Sequence, residues 1–386
     1  MKSLDEFAAQ KLDDLEARAL RRTLSITDPL DAVRVERDGQ VLISFCSNDY
    51  LNLSQDPRVK ARAAEAAERY GVGAGASRLV TGNHPLYAAL EARLAALKGT
   101  DDAVVFGSGY LANLGIVPSL VGMRDVILAD ELCHACLLAG TQLAGAETHL
   151  FRHNDLDHLD ELLRKNSAGA GRRLILTDGV FSMDGDLAPL AEMQVLAEAH
   201  DAWLLSDDAH GIGVMGGGRG SAHAHGNAAA PPLQMGTLSK AIGSYGGYLC
   251  ASQPVIDLMR TRARTLIYST GLPPSAVAAS LAALDIIEND LEFCRRPIEN
   301  ARRFASALGL AEPQSPIVPL VLGGAEAALT ASRELTESGF LVSAIRPPTV
   351  PDGTARLRFT FTAAHDGPTI DRLAEIVRRR VLITVD

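Results

Sequence analysis

Short apolar runs alternate with helical patterns along most of this chain. Val104–Phe106, Asp125–Ala129, Leu174–Leu176 and Trp203–Leu205 are such runs, and the first, third and fourth break into a glycine-, serine- or aspartate-bearing loop. Continuous apolar runs of this length read as strands buried on both faces, and strands alternating with helices read as an α/β fold with a mostly parallel sheet. Helices are predicted over Leu4–Thr23, Ala61–Tyr70 and Leu86–Leu97, the last with Pro85 at its start. A short β segment is predicted near Val33–Ser44. Pro273-Pro274 interrupts the chain before a long helix predicted over Ser275–Glu292. Gly71–Ser77 reads as a flexible loop, and Ser167–Gly171 and Met215–Gly220 as surface loops. No internal repeat is visible. The expected organisation is an N-terminal helix and β segment over 1–50, a large domain over 51–274 and a smaller α+β domain over 275–386.

A length of 386 residues agrees with more than one compact unit. The net charge of -10 argues against a general nucleic-acid binder, which needs a basic face. No apolar run is long enough to span a membrane. Asp5, Glu6, Asp13, Asp14 and Glu16 fit neither a secretory signal nor a transit peptide. Five cysteines suit a reducing compartment, so a cytoplasmic protein is expected. Cys133 and Cys136 have the spacing of two metal ligands, but no second pair follows, and no metal is expected. His223 and His225 read as loop residues.

The candidate chemistry gathers around Thr237-Leu238-Ser239-Lys240 and the glycines after it, Gly243, Gly246 and Gly247. A lysine held in a tight site loses its proton more readily than one in water, and an unprotonated amine can hold an aldehyde. The hydroxyls of Thr237 and Ser239 can reach a phosphate. Alone, Lys240 also reads as a solvated loop lysine. Three upstream segments change that picture. The run ending in Asp207-Asp208 puts carboxylates at the C-terminal end of a strand, where open α/β sheets bind ligands. A carboxylate there can pair with a pyridinium nitrogen, or cap a helix. His210 can hydrogen-bond a phenolic oxygen. Ser182 follows the third run as a candidate donor. Val105-Phe106-Gly107-Ser108-Gly109-Tyr110 is a strand, a glycine loop and a helix start, an anion-binding arrangement.

Together these segments resemble the fold-type I pyridoxal-phosphate enzymes, and within them the α-oxoamine synthase family. The resemblance runs from Ser47-Asn48-Asp49-Tyr50-Leu51 to Thr362-Ala363-Ala364-His365. It implies pyridoxal 5'-phosphate as cofactor and a decarboxylative condensation of an amino acid with an acyl thioester. Asp207-Asp208-Ala209-His210-Gly211 and Arg346-Pro347-Pro348-Thr349-Val350-Pro351 look most like members that join glycine to a pimeloyl thioester, carried on CoA or acyl carrier protein. Glycine acetyltransferases look more like Asp-Asp-Ser-His-Ala, and aminolevulinate synthases like Asp-Glu-Val-His-Ala. The resemblance implies catalytic roles for Lys240, His134, Asp207 and His210. Gly109, Tyr110, His134, Ser182, Asp207, His210, Thr237, Lys240, Ser269 and Thr270 are implied as cofactor-binding. Tyr268-Ser269-Thr270 is similar to a segment that reaches the neighbouring subunit's phosphate, which implies a homodimer with shared sites. Arg21, Asn48, Arg346, Thr349 and Arg358 are implied as substrate-binding, Arg21 for the far carboxylate of the pimeloyl chain and Arg358 for that of glycine. Read without the resemblance, His134 packs at a helix start, Arg21 is surface charge on a helix, and Arg358 lies on the polar face of a strand. Two rivals stand beside this reading: a family member with another acyl donor such as acetyl-CoA, and a non-enzymatic subunit of the same fold. Cys136 stands where a serine is more familiar.

Overall fold

The computed structural model describes residues 2–167, 171–224 and 230–382. The anticipated Ser167–Gly171 loop and His225 therefore fall largely outside the described residues. The chain divides into two compact units, residues 48–298 and residues 1–47 with 299–386. The boundary anticipated at 274 falls inside the larger unit, and the N-terminal segment belongs with the C-terminal one.

The larger unit is built on seven strands: β1 (Asp102–Phe106), β2 (Val126–Asp130), β3 (Glu147–Phe151), β4 (Arg173–Asp178), β5 (Trp203–Asp207), β6 (Leu233–Thr237) and β7 (Gly247–Ala251). Their order is β1-β7-β6-β5-β4-β2-β3, and only β7 runs antiparallel to its neighbours. All five residues of β2, β6 and β7 are buried, as are four of five in β5, so these strands carry no alternating pattern. Val104, Ile127, Leu174, Leu205 and Leu249 belong to one core, against which helix Gly109–Leu120 contributes Ile116 and Val117. In the smaller unit, Phe45, Phe304, Phe340, Phe359 and Phe361 share a second core, and Phe45 stacks on His365 at 4.0 Å between ring centres.

Three elements differ from the expected ones. The N-terminal helix spans Lys2–Ala17, not Leu4–Thr23. Ala19 takes φ 53°, the Ala19 amide donates to the Glu16 carbonyl at 2.9 Å, and the Leu20 amide to the Leu15 carbonyl at 2.8 Å. This is a Schellman end formed without the glycine that usually marks one. Arg21 and Arg22 consequently lie beyond the helix. The helix expected over Ser275–Glu292 is two helices, Pro274–Asn289 and Leu291–Leu308. Asp290 separates them, its carboxylate accepting the Phe293 amide at 2.9 Å. Helix Pro57–Tyr70 begins before the predicted Ala61, because Asp56 caps it and Pro57 opens it.

A cluster built on the buried Asp130 secures the strand ends on one side of the sheet. His153, after β3, meets Asp130 at the end of β2 (Nδ1 to Oδ1, 3.1 Å) and Asp186 in the turn after β4 (Nε2 to Oδ2, 2.7 Å). Burial opposes the charge on His153, but the hydrogen bonds of Asp130 and then Asp186 prevail and raise it to about 10. An unfolded histidine titrates near roughly 6.5. The folded state therefore binds the proton more tightly, and the resulting stability is complete below that value and lost as pH rises towards about 10. We expect the urea midpoint of the native protein to fall between pH 7 and pH 10 more steeply than that of His153→Gln. Parallel pH curves for the two proteins would refute this.

Candidate active site

The C-terminal ends of the parallel strands gather the candidate residues of the larger unit. Asp178 ends β4, Asp207 ends β5 and Thr237 ends β6, with Asp178 and Asp207 paired in register. Lys240 follows in a loop that closes on itself: the Leu238 amide donates to the Gly246 carbonyl, and the Gly243 amide to the Lys240 carbonyl. Thr237 Oγ1 donates to the Gly246 carbonyl and lies 2.8 Å from Ser239 Oγ. Lys240 Nζ lies 2.7 Å from His210 Nε2, and His210 Nδ1 lies 2.7 Å from the Tyr50 hydroxyl. Asn48 Oδ1 accepts from that hydroxyl at 3.4 Å. Tyr50 was not among the residues singled out by sequence, although it lies in the Ser47–Leu51 motif.

Asp207 and Asp208 part company. Asp207 is buried and accepts the Asn113 side-chain amide at 2.7 Å and the Ala209 amide at 3.0 Å. Asp208 is consumed by Lys98 (2.6 Å) and by the Ser221 hydroxyl and amide (2.6 and 2.9 Å). Neither caps an α-helix, since turns follow. A buried pair such as Lys98–Asp208 costs several kcal/mol (~3 or more) if one partner is lost, so it holds the loop rather than serving a ligand. It also explains why Met215–Gly220 is not a plain surface loop. Met215, Gly218 and Gly220 are buried, and Lys98 Nζ donates to the Arg219 carbonyl.

His134 precedes helix Ala135–Ala144 as its cap. Its amide donates to Asp178 Oδ1 at 3.1 Å, and its Nδ1 lies 2.8 Å from Cys136 Sγ. Surrounding protein holds the imidazole below its ordinary range against the pull of Asp207, with Lys240 adding to the depression. Burial, then the charge of Asp207, pushes Asp178 well above the usual carboxylate range. Cys133 is buried beside this helix start.

An anionic group has a prepared seat across the strand ends. Ser108 caps helix Gly109–Leu120 by accepting the Leu111 amide, and the first amides of a helix have no partner within it. A Cβ on Gly247 would stand 2.5 Å from the Ser108 carbonyl oxygen, so only glycine allows β7 this close. A Cβ on Gly109 would come within 3.5 Å of Thr237 Oγ1 and fill the space between helix start and β6. Tyr110 is exposed at the helix start. The buried carboxylate of Asp207, the His210–Lys240 contact and this seat fit pyridoxal phosphate. Lys240, His210 and Asp207 would hold its ring end, and Gly109, Tyr110, Thr237 and Ser239 its phosphate. Ser182 is half-buried in the turn after β4, and Ser269 and Thr270 follow helix Arg264–Ile267, Thr270 bridging to Ser77.

In the smaller unit, Arg21, Arg22, Arg346 and Thr349 line one cleft of about 630 Å³. Arg22 Nη2 donates to Thr349 Oγ1 at 3.0 Å, and Arg346 donates to the Ala19 carbonyl. Among the described residues, Arg21 has one ion-pair partner, Glu16 at 3.5 Å, with both side chains exposed. Arg358 is buried at 6%, in a strand whose six residues are all buried, so the polar face it shares with Arg356 and Thr360 is not an exposed one.

Residues 40–377 match the family described as aminotransferase class I and II. A protein of Beijerinckia indica named 8-amino-7-oxononanoate synthase is 61% identical over 377 residues, covering 98% of this chain and 98% of its own. A serine palmitoyltransferase variant from S. paucimobilis, solved with pyridoxal phosphate and myriocin bound, is 30% identical over 98% of each chain, with a TM-score of 0.90. An 8-amino-7-oxononanoate synthase from Francisella tularensis is 28% identical, covers 89% of this chain and 99% of its own, and has a TM-score of 0.75.

Proposed function

We propose that this chain, which belongs to the aminotransferase class I and II family, joins glycine to a pimeloyl thioester and yields 8-amino-7-oxononanoate, carbon dioxide and the free thiol. The observation that carries this reading is Lys240 Nζ set 2.7 Å from His210 at the strand ends that also bear the buried Asp207. Pyridoxal phosphate, when bound, supplies an aldehyde for an amine and a ring that takes up electron density as a bond at the amino acid's α-carbon breaks. Lys240 would hold the cofactor's aldehyde group, and its Nζ would take the α-proton of glycine. Asp207 would face the cofactor's ring nitrogen and favour its protonation, and Asn113 holds that carboxylate in place. His210 orients the phenolic oxygen, and Tyr50 orients His210. His134 would stand beside the cofactor's ring and would steer the acylation step. Arg358 takes glycine's carboxylate by a bidentate contact. Two copies of the chain share their sites through the Tyr268–Thr270 segment. Product analysis with glycine and a panel of acyl thioesters on CoA and on acyl carrier protein tests the reading. A preference for acetyl-CoA would replace it with the acetyltransferase reading.

The cleft beside Arg21 sets the acyl preference. The distal carboxylate of a pimeloyl group needs a cation, and Arg21 is the arginine of that cleft least committed to protein partners. Arg21→Ala should lower kcat/KM for the pimeloyl thioester by roughly 10- to 100-fold, with little change for a short uncharged acyl thioester. Arg22→Ala should hurt both donors alike, because Arg22 holds Thr349. Equal losses for both donors in Arg21→Ala would exclude Arg21 from tail recognition.

A further inference from the structure

We propose that Cys136 is a positioning residue that holds His134 in a single tautomer, with the hydrogen on Nε2 and none on Nδ1. The inference rests on the reading of His134 as part of the cofactor site. Its starting point is Asn113, fully buried in helix Gly109–Leu120. Its Nδ2 donates to Asp207 Oδ2 at 2.7 Å and to Cys136 Sγ at 3.1 Å. The opposite amide orientation would set a carbonyl oxygen against a carboxylate, so the two N–H groups point as stated. Sulfur therefore accepts from Asn113. The one hydrogen of the thiol is left for the other neighbour, His134 Nδ1, 2.8 Å away. The backbone amide of Cys136 donates to the same nitrogen at 3.2 Å. Two donors converge on Nδ1, so Nδ1 bears a lone pair and the ring hydrogen lies on Nε2.

The protonation of both groups agrees. Burial, then the charge of Asp207, lifts the Cys136 thiol to about 12, so it stays a donor across the neutral range. His134 is held below its ordinary value, so its ring is neutral and has a tautomer to choose. Four charged or titratable groups face it: the Cys136 thiol at Nδ1, Asp207 and Lys240 through their charges, and Asp178 through the hydrogen bond to its amide. The line Asp207–Asn113–Cys136–His134 thus ties the carboxylate at the ring nitrogen to the imidazole. A serine at 136 has the same single donor hydrogen; an alanine has none.

The test is nitrogen NMR of the holoenzyme with ¹⁵N-labelled histidine at pH 8, the His134 signals being assigned by their loss in His134→Phe. We expect an unprotonated Nδ1 and a protonated Nε2 in the unaltered protein and in Cys136→Ser. In Cys136→Ala, loss of one hydrogen bond should raise the Nδ1–H population about fivefold. A proton on Nδ1 in the unaltered protein overturns the proposal, as does an unchanged population in Cys136→Ala. Should Cys136→Ala not fold, the unaltered protein and Cys136→Ser still decide it. The tautomer is read independently of turnover, so a failure of the proposed reaction would appear in product analysis and leave this result intact.

Discussion

Lys240→Ala should lower kcat/KM for the condensation by about 10⁴-fold or more, while leaving the fold intact. A single residue is asked to hold the cofactor, to release it to glycine and to move the α-proton, and roles performed by one group are lost together. The surroundings explain why this lysine is suited to all three. Its loop is closed by the Leu238–Gly246 and Lys240–Gly243 bonds, and its Nζ is already within 2.7 Å of His210. Lys98, the buried lysine of the same unit, is fully engaged with Asp208 and the Arg219 carbonyl. Borohydride treatment of the holoenzyme should therefore attach the cofactor to the peptide bearing Lys240 and to no other. Attachment elsewhere, or activity of Lys240→Ala near that of the unaltered enzyme, would remove Lys240 from the centre of the site.

Residue type and position made part of this site readable. A lysine among small hydroxyls and glycines, and aspartates closing an apolar run, are local signals, and the sheet places both at strand ends as expected. What escaped the sequence depends on partners far away along the chain. Its place at the end of the strand favours Asp207 over Asp208, but the partners that separate them are not legible in the sequence: Lys98, 110 residues from Asp208, engages Asp208, while Asn113 donates to Asp207. Tyr50 acquires meaning only through His210, 160 residues on. Cys136 has no role in the sequence beyond a metal spacing without a second pair, and its contacts with Asn113 and His134 appear only in the fold. The reach of the N-terminal helix failed for a different reason: an alanine took the left-handed conformation at its end, and no glycine announced it. The placement of Arg21 and Arg22 followed from that error, since residues beyond a helix do not keep its angular spacing.

Asp207→Asn should retain part of the cofactor binding yet slow the exchange of glycine's α-proton with solvent by roughly 10²- to 10⁴-fold, on the order of 3–5 kcal/mol in barrier. The carboxylate is 5% exposed at the end of a strand buried almost throughout, so water screens its charge poorly. An amide of the same shape keeps one acceptor oxygen, so it can still accept from the Ala209 amide at the Oδ1 position but loses the bond from Asn113 at Oδ2, and the strand end should survive with one hydrogen bond fewer. What it cannot supply is the negative charge that keeps a ring nitrogen protonated. Exchange isolates this step, because it needs neither the acyl donor nor loss of carbon dioxide. Asp208→Asn is the comparison: it breaks the Lys98 pair, so it should cost thermal stability and only secondarily exchange. Normal exchange in Asp207→Asn alongside a collapse in Asp208→Asn would transfer the electronic role to Asp208 and leave Asp207 a structural residue.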